Sequence, residues 1–264
     1  IDLAISHSFF SIEKTTKSQR EKLRKMSRTY IHETLSTQLD ARLKEMGVSG
    51  YTIENVSQVQ DKNGEWRPID SDKDPTVILL HYQSILEDTI NYIPPRVKIE
   101  ISCLSMDEPT ELRQIRSLIG ESFDGEDADA ESLVRTVVPT RTFLEKLFLL
   151  AEEFQKEKPR SVRMSRHLYD LEKLMDTKYG EEALSNRKLY DAIVEHRRVY
   201  YALKYVNYDL HSPSTISFTI PESVIGAWQD DYADMRRFFI YGESLDFDAL
   251  MHRIRELQER VRNI

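Results

Sequence analysis

A carboxylate near the start of the chain lies in a pattern that suits metal binding. Apolar residues alternate over residues 1–5, so that Ile1, Leu3 and Ile5 point to one face of a predicted strand and Asp2 points to the other. A carboxylate on the open face of a strand with a buried opposite face is a typical ligand for a divalent cation. Asp2 is therefore a candidate metal ligand, and the alternative is a solvated residue at the edge of a sheet.

A second carboxylate, Glu100, lies in the middle of an apolar strand predicted over residues 96–103. The side chains of Val97, Ile99, Ile101 and Cys103 share one face of this strand. Lys98 and Glu100 share the opposite face, where they form either a surface ion pair or one wall of a site that opens onto a cleft.

Lys146 is the third candidate. It follows Thr142-Phe143-Leu144-Glu145, which fits a capping box at the start of a helix. The neighbours of Lys146 are largely apolar, so its stem either extends along an apolar surface with the ammonium in water, or projects into a cleft as a phosphate ligand.

The segment of residues 165–171 places a fourth group of polar side chains on a helix. Arg166 and Asp170 are four residues apart and share a helix face, which predicts either an ordinary surface ion pair or part of a site. We interpret His167, between them, as a structural hydrogen-bonding residue rather than a catalytic base.

The elements that position these candidates divide into an α+β first part and a helical second part. A helix is predicted from Ser18, as its N-cap, to Gly47, as its C-terminal cap. An Asn-Gly pair in the turn of residues 61–64 predicts a hairpin. The predicted strands cover residues 1–5, 51–60, 76–82, 96–103 and 133–138.

Beyond residue 140 the pattern is helical. The predicted helices cover residues 142–156, 165–178, 185–205, 223–240 and 247–264. We therefore predict a domain over residues 1–140, built on a mixed sheet with flanking helices, and a helical C-terminal domain over residues 141–264.

Composition excludes several classes of protein. The net charge is −8, which argues against indiscriminate coating of nucleic acid, although a local basic groove is compatible with it. Cys103 is the only cysteine, so no intrachain disulfide can form and a reducing, cytoplasmic location is expected. No apolar run approaches the roughly 20 residues of a membrane span, so no membrane partner is expected.

Five segments together resemble the AbiEii/AbiGii-type nucleotidyltransferase toxins. The matches occur in the family's order and span nearly the whole chain. They are Ile1-Asp2-Leu3, Val97-Lys98-Ile99-Glu100-Ile101-Ser102, Thr142-Phe143-Leu144-Glu145-Lys146-Leu147, Ser165-Arg166-His167-Leu168-Tyr169-Asp170-Leu171 and Trp228-Gln229-Asp230-Asp231-Tyr232-Ala233-Asp234-Met235.

The resemblance implies a fold, a reaction and a site. It implies a nucleotidyltransferase-like mixed sheet and the toxin role in a type IV toxin–antitoxin or phage-defence system. Asp2 and Glu100 would bind Mg²⁺ or Mn²⁺, Lys146 would contact the phosphates of a nucleoside triphosphate, and Asp170 would complete the site. Arg166 would contact phosphate or substrate. The implied acceptor is RNA, such as transfer RNA, and the implied partner is a cognate antitoxin that acts without a stable complex.

The chain departs from the family pattern in two places. The Gly-Gly or Gly-Ser turn and the first aspartate of the Asp-x-Asp pair would both lie before Ile1, so we expect the N-terminal part of the family's core to be missing from this sequence. His167 stands where the family usually has aspartate. If the first aspartate is absent from the protein, catalysis is not expected.

Two alternatives to an RNA-modifying enzyme follow from the same residues. A small-molecule nucleotidyltransferase would use an acidic pocket, for which residues 124–129 are available. A non-catalytic binding module would keep the fold without the metals. Two basic clusters could guide an RNA acceptor. They are Lys14, Lys17, Arg20, Lys22, Arg24, Lys25 and Arg28, and Lys156, Lys158, Arg160, Arg163 and Arg166.

Overall fold

The computed structural model describes residues 1–11, 16–61, 64–71, 73–85, 94–104, 110–123, 125 and 131–264. The chain forms two compact units. The first is Ile1–Asp107 with Val199–Tyr201, and the second is Glu108–Arg198 with Ala202–Ile264. The predicted division into domains at residue 140 stays a prediction.

A long helical segment follows the first strand in unit one. It consists of α1 (Lys17–Thr29), a π-helical stretch (Tyr30–Leu35) and α2 (Ser36–Glu45). Its N-cap is Thr16 rather than the predicted Ser18, because Thr16 and Gln19 form a reciprocal capping box. Gly47 follows the C-terminus with a φ of 76°, in the left-handed region that favours glycine.

This helical segment covers one face of a four-stranded mixed sheet. The strands are β1 (Asp2–Ala4), β2 (Tyr51–Asn55), β5 (Thr76–Tyr82) and β6 (Arg96–Ser102), in the order β1-β6-β5-β2. β1 pairs with β6 in parallel, and the other pairs are antiparallel. Ile31 of the π-helical stretch packs with Ile78 and Ile101 in the buried core. The predicted apolar face of β6 is therefore the core face.

Two hairpins complete the β structure. β3 (Gln58–Gln60) pairs with β4 (Trp66–Pro68), which confirms the predicted hairpin, although Lys62 and Asn63 of its turn lie outside the described residues. In unit two, β7 (Thr110–Arg116) pairs with β8 (Glu131–Val137). The sequence did not indicate β7 because its two large apolar residues, Leu112 and Ile115, do not alternate. The short helix α3 (Leu118–Ser122) follows β7.

The rest of unit two is helical, as predicted. Its helices are α4 (Pro139–Glu153), α5 (Ser165–Leu174), α6 (Lys178–Ser185), α7 (Arg187–His196), α8 (Ile225–Phe238) and α9 (Phe247–Arg262). A π-helical turn, Arg197–Tyr201, continues α7. Short 3-10 turns cover His7–Phe10, Tyr208–His211 and Glu222–Val224. Large side chains that are fully buried include Phe143, Phe148, Tyr190, Trp228 and Tyr232.

Two predicted helix boundaries in unit two were wrong. α4 begins at Pro139, whose missing N–H and fixed φ suit the first helical position, so Thr142 lies inside the helix and not in a capping box. The helix predicted to end at residue 178 ends at Leu174, and Gly180 lies within α6. A Cβ atom on Gly180 would lie 2.4 Å from the carbonyl oxygen of Leu174, so only glycine allows this close packing.

Across the described parts of the chain, no helix combines the length and the apolar character needed to span a membrane.

Candidate functional site

The candidate carboxylates of unit one are neighbours on the sheet. Asp2 of β1 is the register partner of Glu100 of β6. Paired residues on adjacent strands project to the same face, so both carboxylates lie on the face opposite the Ile31–Ile78–Ile101 core. The structure thus brings together the two side chains that the sequence singled out 98 positions apart.

The ammonium group of Lys98 lies beside one of these carboxylates. Lys98 Nζ is 2.9 Å from Glu100 Oε1, and the side chain of Glu100 is 30% exposed. This ion pair confirms that Lys98 and Glu100 share a face, and it shows that the Glu100 carboxylate can have a positive charge at close range while it stays accessible to solvent.

The donor set of this face fits a hard divalent cation that also has phosphate and water ligands. Magnesium sites often contain only one or two protein carboxylates, with substrate phosphates and water completing the octahedron. Within the described ranges, no group of three His, Cys, Asp or Glu residues forms a ready-made metal site. Asp2 and Glu100 would therefore hold such an ion only together with non-protein ligands or with carboxylates outside those ranges.

A third carboxylate near β6 has a structural role. Asp74, just before β5, accepts a 2.6 Å hydrogen bond from Ser102 Oγ and a 3.0 Å hydrogen bond from the Cys103 N–H. These bonds join the start of β5 to the end of β6. Because both carboxylate oxygens are used in this way, we assign Asp74 to the support of the sheet.

In unit two, the candidate side chains of α4 and α5 form an ion pair. Lys146 Nζ of α4 lies 2.6 Å from Asp170 Oδ2 of α5, and the two side chains are 23% and 36% exposed. Both ends of the pair can therefore be reached from solvent. Among the described residues Asp170 pairs with Lys146 and not with Arg166, which is exposed, so the surface ion pair within α5, one of the two alternatives, is not formed.

His167 lies beside this pair but is buried, with 7% of its surface exposed. Burial lowers the pKa of His167 to about 3, and the positive charges of Lys146, Arg166 and Arg160 add to the effect. The imidazole is neutral at neutral pH. A neutral imidazole here does not reduce the local positive charge of Lys146 and Arg166, whereas an aspartate at this position would neutralise part of that charge.

The burial of His167 makes stability depend on pH. Unfolded histidine takes up a proton below about pH 6.5, while folded His167 stays neutral down to about pH 3. The free energy of unfolding should therefore fall as pH drops below 6.5. His167→Gln should reduce this slope, as measured by urea denaturation between pH 8 and 5. The slope that remains should be reduced by His211→Gln, since burial lowers the pKa of His211 to about 4. An unchanged slope in both variants would contradict this assignment.

The start of α5 is fixed by an aspartate from a distant part of the chain. Asp231 of α8 accepts hydrogen bonds from the N–H of Arg163, the N–H of Ser165 at 3.0 Å and the hydroxyl of Ser165. An anion at a helix N-terminus satisfies N–H groups that have no partner within the helix. Asp231 thus sets the position of the helix that carries Arg166, His167 and Asp170.

The rest of the late Trp-Asp-Tyr-Met motif is structural as well. Trp228 packs on Phe154 with ring centroids 5.0 Å apart, and the hydroxyl of Tyr232 donates to the carbonyl of Leu245 at 2.9 Å. Met235 lies 3.8 Å from the hydroxyl of Ser165. The spacing of this motif therefore comes from the packing of α8 on α5 and on the end of α4.

The acidic residue before Lys146 belongs to a buried ionic network. Glu145 pairs with Arg141 one turn earlier in α4 and with Arg197 in the π-helical turn. Arg197 also forms a bidentate ion pair with Glu152, and both of these side chains are only 5% exposed. The network joins α4 to the end of α7, so the backbone that carries Lys146 is held from two sides.

Sequence reasoning missed the supporting residues Asp231, Arg141 and Arg197. Asp231 lies within a motif that the sequence did indicate, and its position three residues after a tryptophan and four before a methionine was the available signal. Arg197 follows His196 in an ordinary charged helix, and nothing in its local pattern distinguishes it from an exposed arginine.

A family model described as nucleotidyl transferase AbiEii toxin, type IV toxin–antitoxin system, matches residues 1–253. No curated protein matches the chain.

Proposed function

Since the chain belongs to the AbiEii family of nucleotidyl transferase toxins of type IV toxin–antitoxin systems, we propose that it transfers a nucleotide from a nucleoside triphosphate to RNA, with Mg²⁺ as the cofactor. The observation that carries this proposal is the register pairing of Asp2 with Glu100 on the open face of the sheet. Two adjacent carboxylates with access to solvent are what a metal–triphosphate complex requires from a protein.

Asp2 and Glu100 are the residues that would hold the divalent ion. When bound, this ion would neutralise charge on the triphosphate. Lys98, whose ammonium lies 2.9 Å from Glu100, would orient the carboxylate before substrate arrives. Nucleotidyl transfer needs positioning and charge neutralisation more than covalent participation of the protein, and carboxylates and an ammonium group are side chains that supply both.

Lys146, Asp170 and Arg166 are the proposed residues of unit two. Lys146 would bind phosphate oxygens, and Asp170 would hold the Lys146 ammonium in place through their 2.6 Å contact. Arg166 is exposed on the helix that Asp231 caps, and it is the second candidate for contact with phosphate or substrate.

The acceptor is proposed to be RNA such as transfer RNA. The support is a row of basic residues on α1, of which Lys17, Lys22 and Lys25 are exposed, whereas Lys14 lies outside the described residues. The second predicted cluster is a weaker candidate, because Lys156 and Arg160 both pair with buried Glu153. The acidic run of residues 124–129, which a small-molecule acceptor would need, lies outside the described residues except for Gly125.

The biological role follows from the family. The chain is a toxin that has an antitoxin partner. We propose that this antitoxin acts without a stable complex and that the pair serves in phage defence within the cytoplasm.

Glu100→Gln tests the metal site and the reaction together. The substitution removes one negative charge at nearly constant shape, so transfer should fall by about 10²-fold or more, and raising the Mg²⁺ concentration should restore part of it. The measurement is incorporation of each labelled nucleoside triphosphate into total cellular RNA by the full-length protein, with and without a chelator.

The matched control is Glu54→Gln, which alters a carboxylate on β2 of the same sheet that bonds His81 instead of Lys98. This variant should transfer at the wild-type rate. Activity that persists in the chelator, or a Glu100→Gln protein as active as the control, would rule out the proposed metal site. Labelling of small molecules without labelling of RNA would rule out the proposed acceptor.

A further inference from the structure

The β7–β8 hairpin exposes an unusual amount of apolar surface. The two strands form a sheet of their own, and the residues of β8 are exposed except for Thr136, which is half-buried. Leu133 in the middle of β8 is 68% exposed. Large apolar side chains exposed on the hairpin and its connection are Leu112, Ile115, Leu118, Ile119, Phe123, Leu133, Val134 and Val137.

Such a hairpin is incomplete as a sheet. A two-stranded sheet is marginally stable in water by itself, and a long exposed edge strand presents a row of N–H and C=O groups to which another strand can bind. A cluster of exposed apolar residues of this size marks an interaction surface. The hairpin therefore has the properties of an interface rather than of a solvated surface.

β8 is the edge that is available for pairing. On β7, Arg113 is held against α6, because its guanidinium donates a 2.6 Å hydrogen bond to the Tyr179 hydroxyl and lies 5.7 Å from the centre of the Tyr179 ring. The structure shows no comparable attachment of residues 131–134 of β8 to any helix of the described chain. The polar contacts of Glu131 lie within the hairpin, where it accepts a hydrogen bond from Gln114 and lies 3.8 Å from Arg116.

We propose that β8 pairs with β8 of a second copy of this chain, antiparallel, around a twofold axis at Leu133. The order of charges on the strand supports a second copy as the partner. With Leu133 opposite its own copy, Glu131 of each chain lies opposite Arg135 of the other, and this pairing occurs twice because the interface is symmetric. Opposite charges placed directly across a strand pair stabilise it.

The neighbouring pairs agree with this register. Ser132 lies opposite Val134, and the two Leu133 side chains meet at the axis, where each would lose much of its exposure. A register shifted by one residue toward the C-terminus would place Glu131 opposite Thr136 and Arg135 opposite Ser132, without either charge pair. Glu131 can rearrange from its contacts with Gln114 and Arg116 at little cost, since these contacts are solvent-exposed.

Charge reversal tests both the dimer and its register. The dissociation constant of the full-length protein is measured by sedimentation equilibrium. Arg135→Glu places two like-charged pairs across the axis and should raise this constant about tenfold or more. The double variant Glu131→Arg with Arg135→Glu restores opposite charges in the reverse order, so it should dimerise close to the wild-type level. Far-ultraviolet circular dichroism of each variant is used to check that it is folded.

The control is Lys188→Glu, which reverses an exposed charge on α7, and it should leave the dissociation constant unchanged. A wild-type protein that stays monomeric at millimolar concentration would overturn the proposal. So would a dimer that is insensitive to Arg135→Glu, or one that the double variant fails to restore. None of these measurements depends on nucleotidyl transfer. The proposed dimer can therefore be disproved while the proposed function stands, and the proposed function can be disproved while the dimer stands.

Discussion

Lys146→Ala should lower nucleotidyl transfer by about 10²- to 10³-fold and abolish growth arrest, while the protein stays folded. Loss of one preorganised cation that binds phosphate oxygens typically has an effect of this size. Stability should change little, because the Lys146–Asp170 ion pair is partly exposed, and such pairs contribute only about 0–1 kcal/mol to folding. Asp170→Ala should have the same direction of effect, since it leaves the Lys146 ammonium without its 2.6 Å partner.

The matched control is Lys173→Ala on α5. Lys173 lies 3.2 Å from Glu172 and 5.5 Å from the centre of the Tyr169 ring, so this variant also removes a paired helical lysine. It should retain growth arrest and transfer. Growth arrest by Lys146→Ala or Asp170→Ala at the wild-type level would remove that residue from the site. Thermal unfolding of each variant separates a loss of activity from a loss of fold.

Arg197→Ala should have the largest effect on stability and lower the free energy of unfolding by about 3–5 kcal/mol. Arg197 pairs with both Glu145 and Glu152, and Glu152 is 4% exposed as a residue. Removal of the guanidinium leaves a buried carboxylate without its bidentate partner, and the desolvation of that charge is then uncompensated. Urea denaturation at pH 7 measures the change.

The neighbouring arginine provides the control. Arg198 pairs with Asp209 and Glu195 at the surface, where its side chain is 44% exposed. Arg198→Ala should therefore alter stability far less than Arg197→Ala. Equal effects of the two substitutions would show that the buried network does not hold α4 in place. Arg197→Ala should also lower activity more than its residual folded fraction accounts for, because Glu145 directly precedes Lys146.

Local pattern was sufficient for the elements and for the faces of the strands. The alternation of residues 96–102 assigned Ile101 to the core and Glu100 to the open face, and the structure has both in those places. The glycine signal correctly placed the end of the first helical segment at Gly47, whereas the N-cap predicted at Ser18 is Thr16 in the structure. A strand of period two or a helix of period 3.6 determines the direction of each side chain from its nearest neighbours alone, and so these features can be derived from sequence.

The ends of the helices were harder to predict from the sequence, because several nearby residues can each serve as the cap. Thr142 and Glu145 have the spacing of a capping box, yet Pro139 starts the helix three residues earlier and leaves Glu145 to pair with Arg141 and Arg197. Local rules permit either start. In the structure the helix starts at Pro139, and its first turn contacts α6 through a 3.0 Å hydrogen bond that the Thr140 hydroxyl donates to Glu182.

The sequence by itself determined which residue types were present, in which order and on which face, and the five family segments followed from that order. Only the tertiary structure decided the partners: Glu100 beside Asp2, Asp170 with Lys146 rather than Arg166, and Asp231 at the start of α5. Packing brings distant segments of the chain together and so sets the distances between their polar atoms. Because Coulomb and hydrogen-bond energies fall steeply with distance, these distances decide which residues pair. No periodicity within a single segment carries this information.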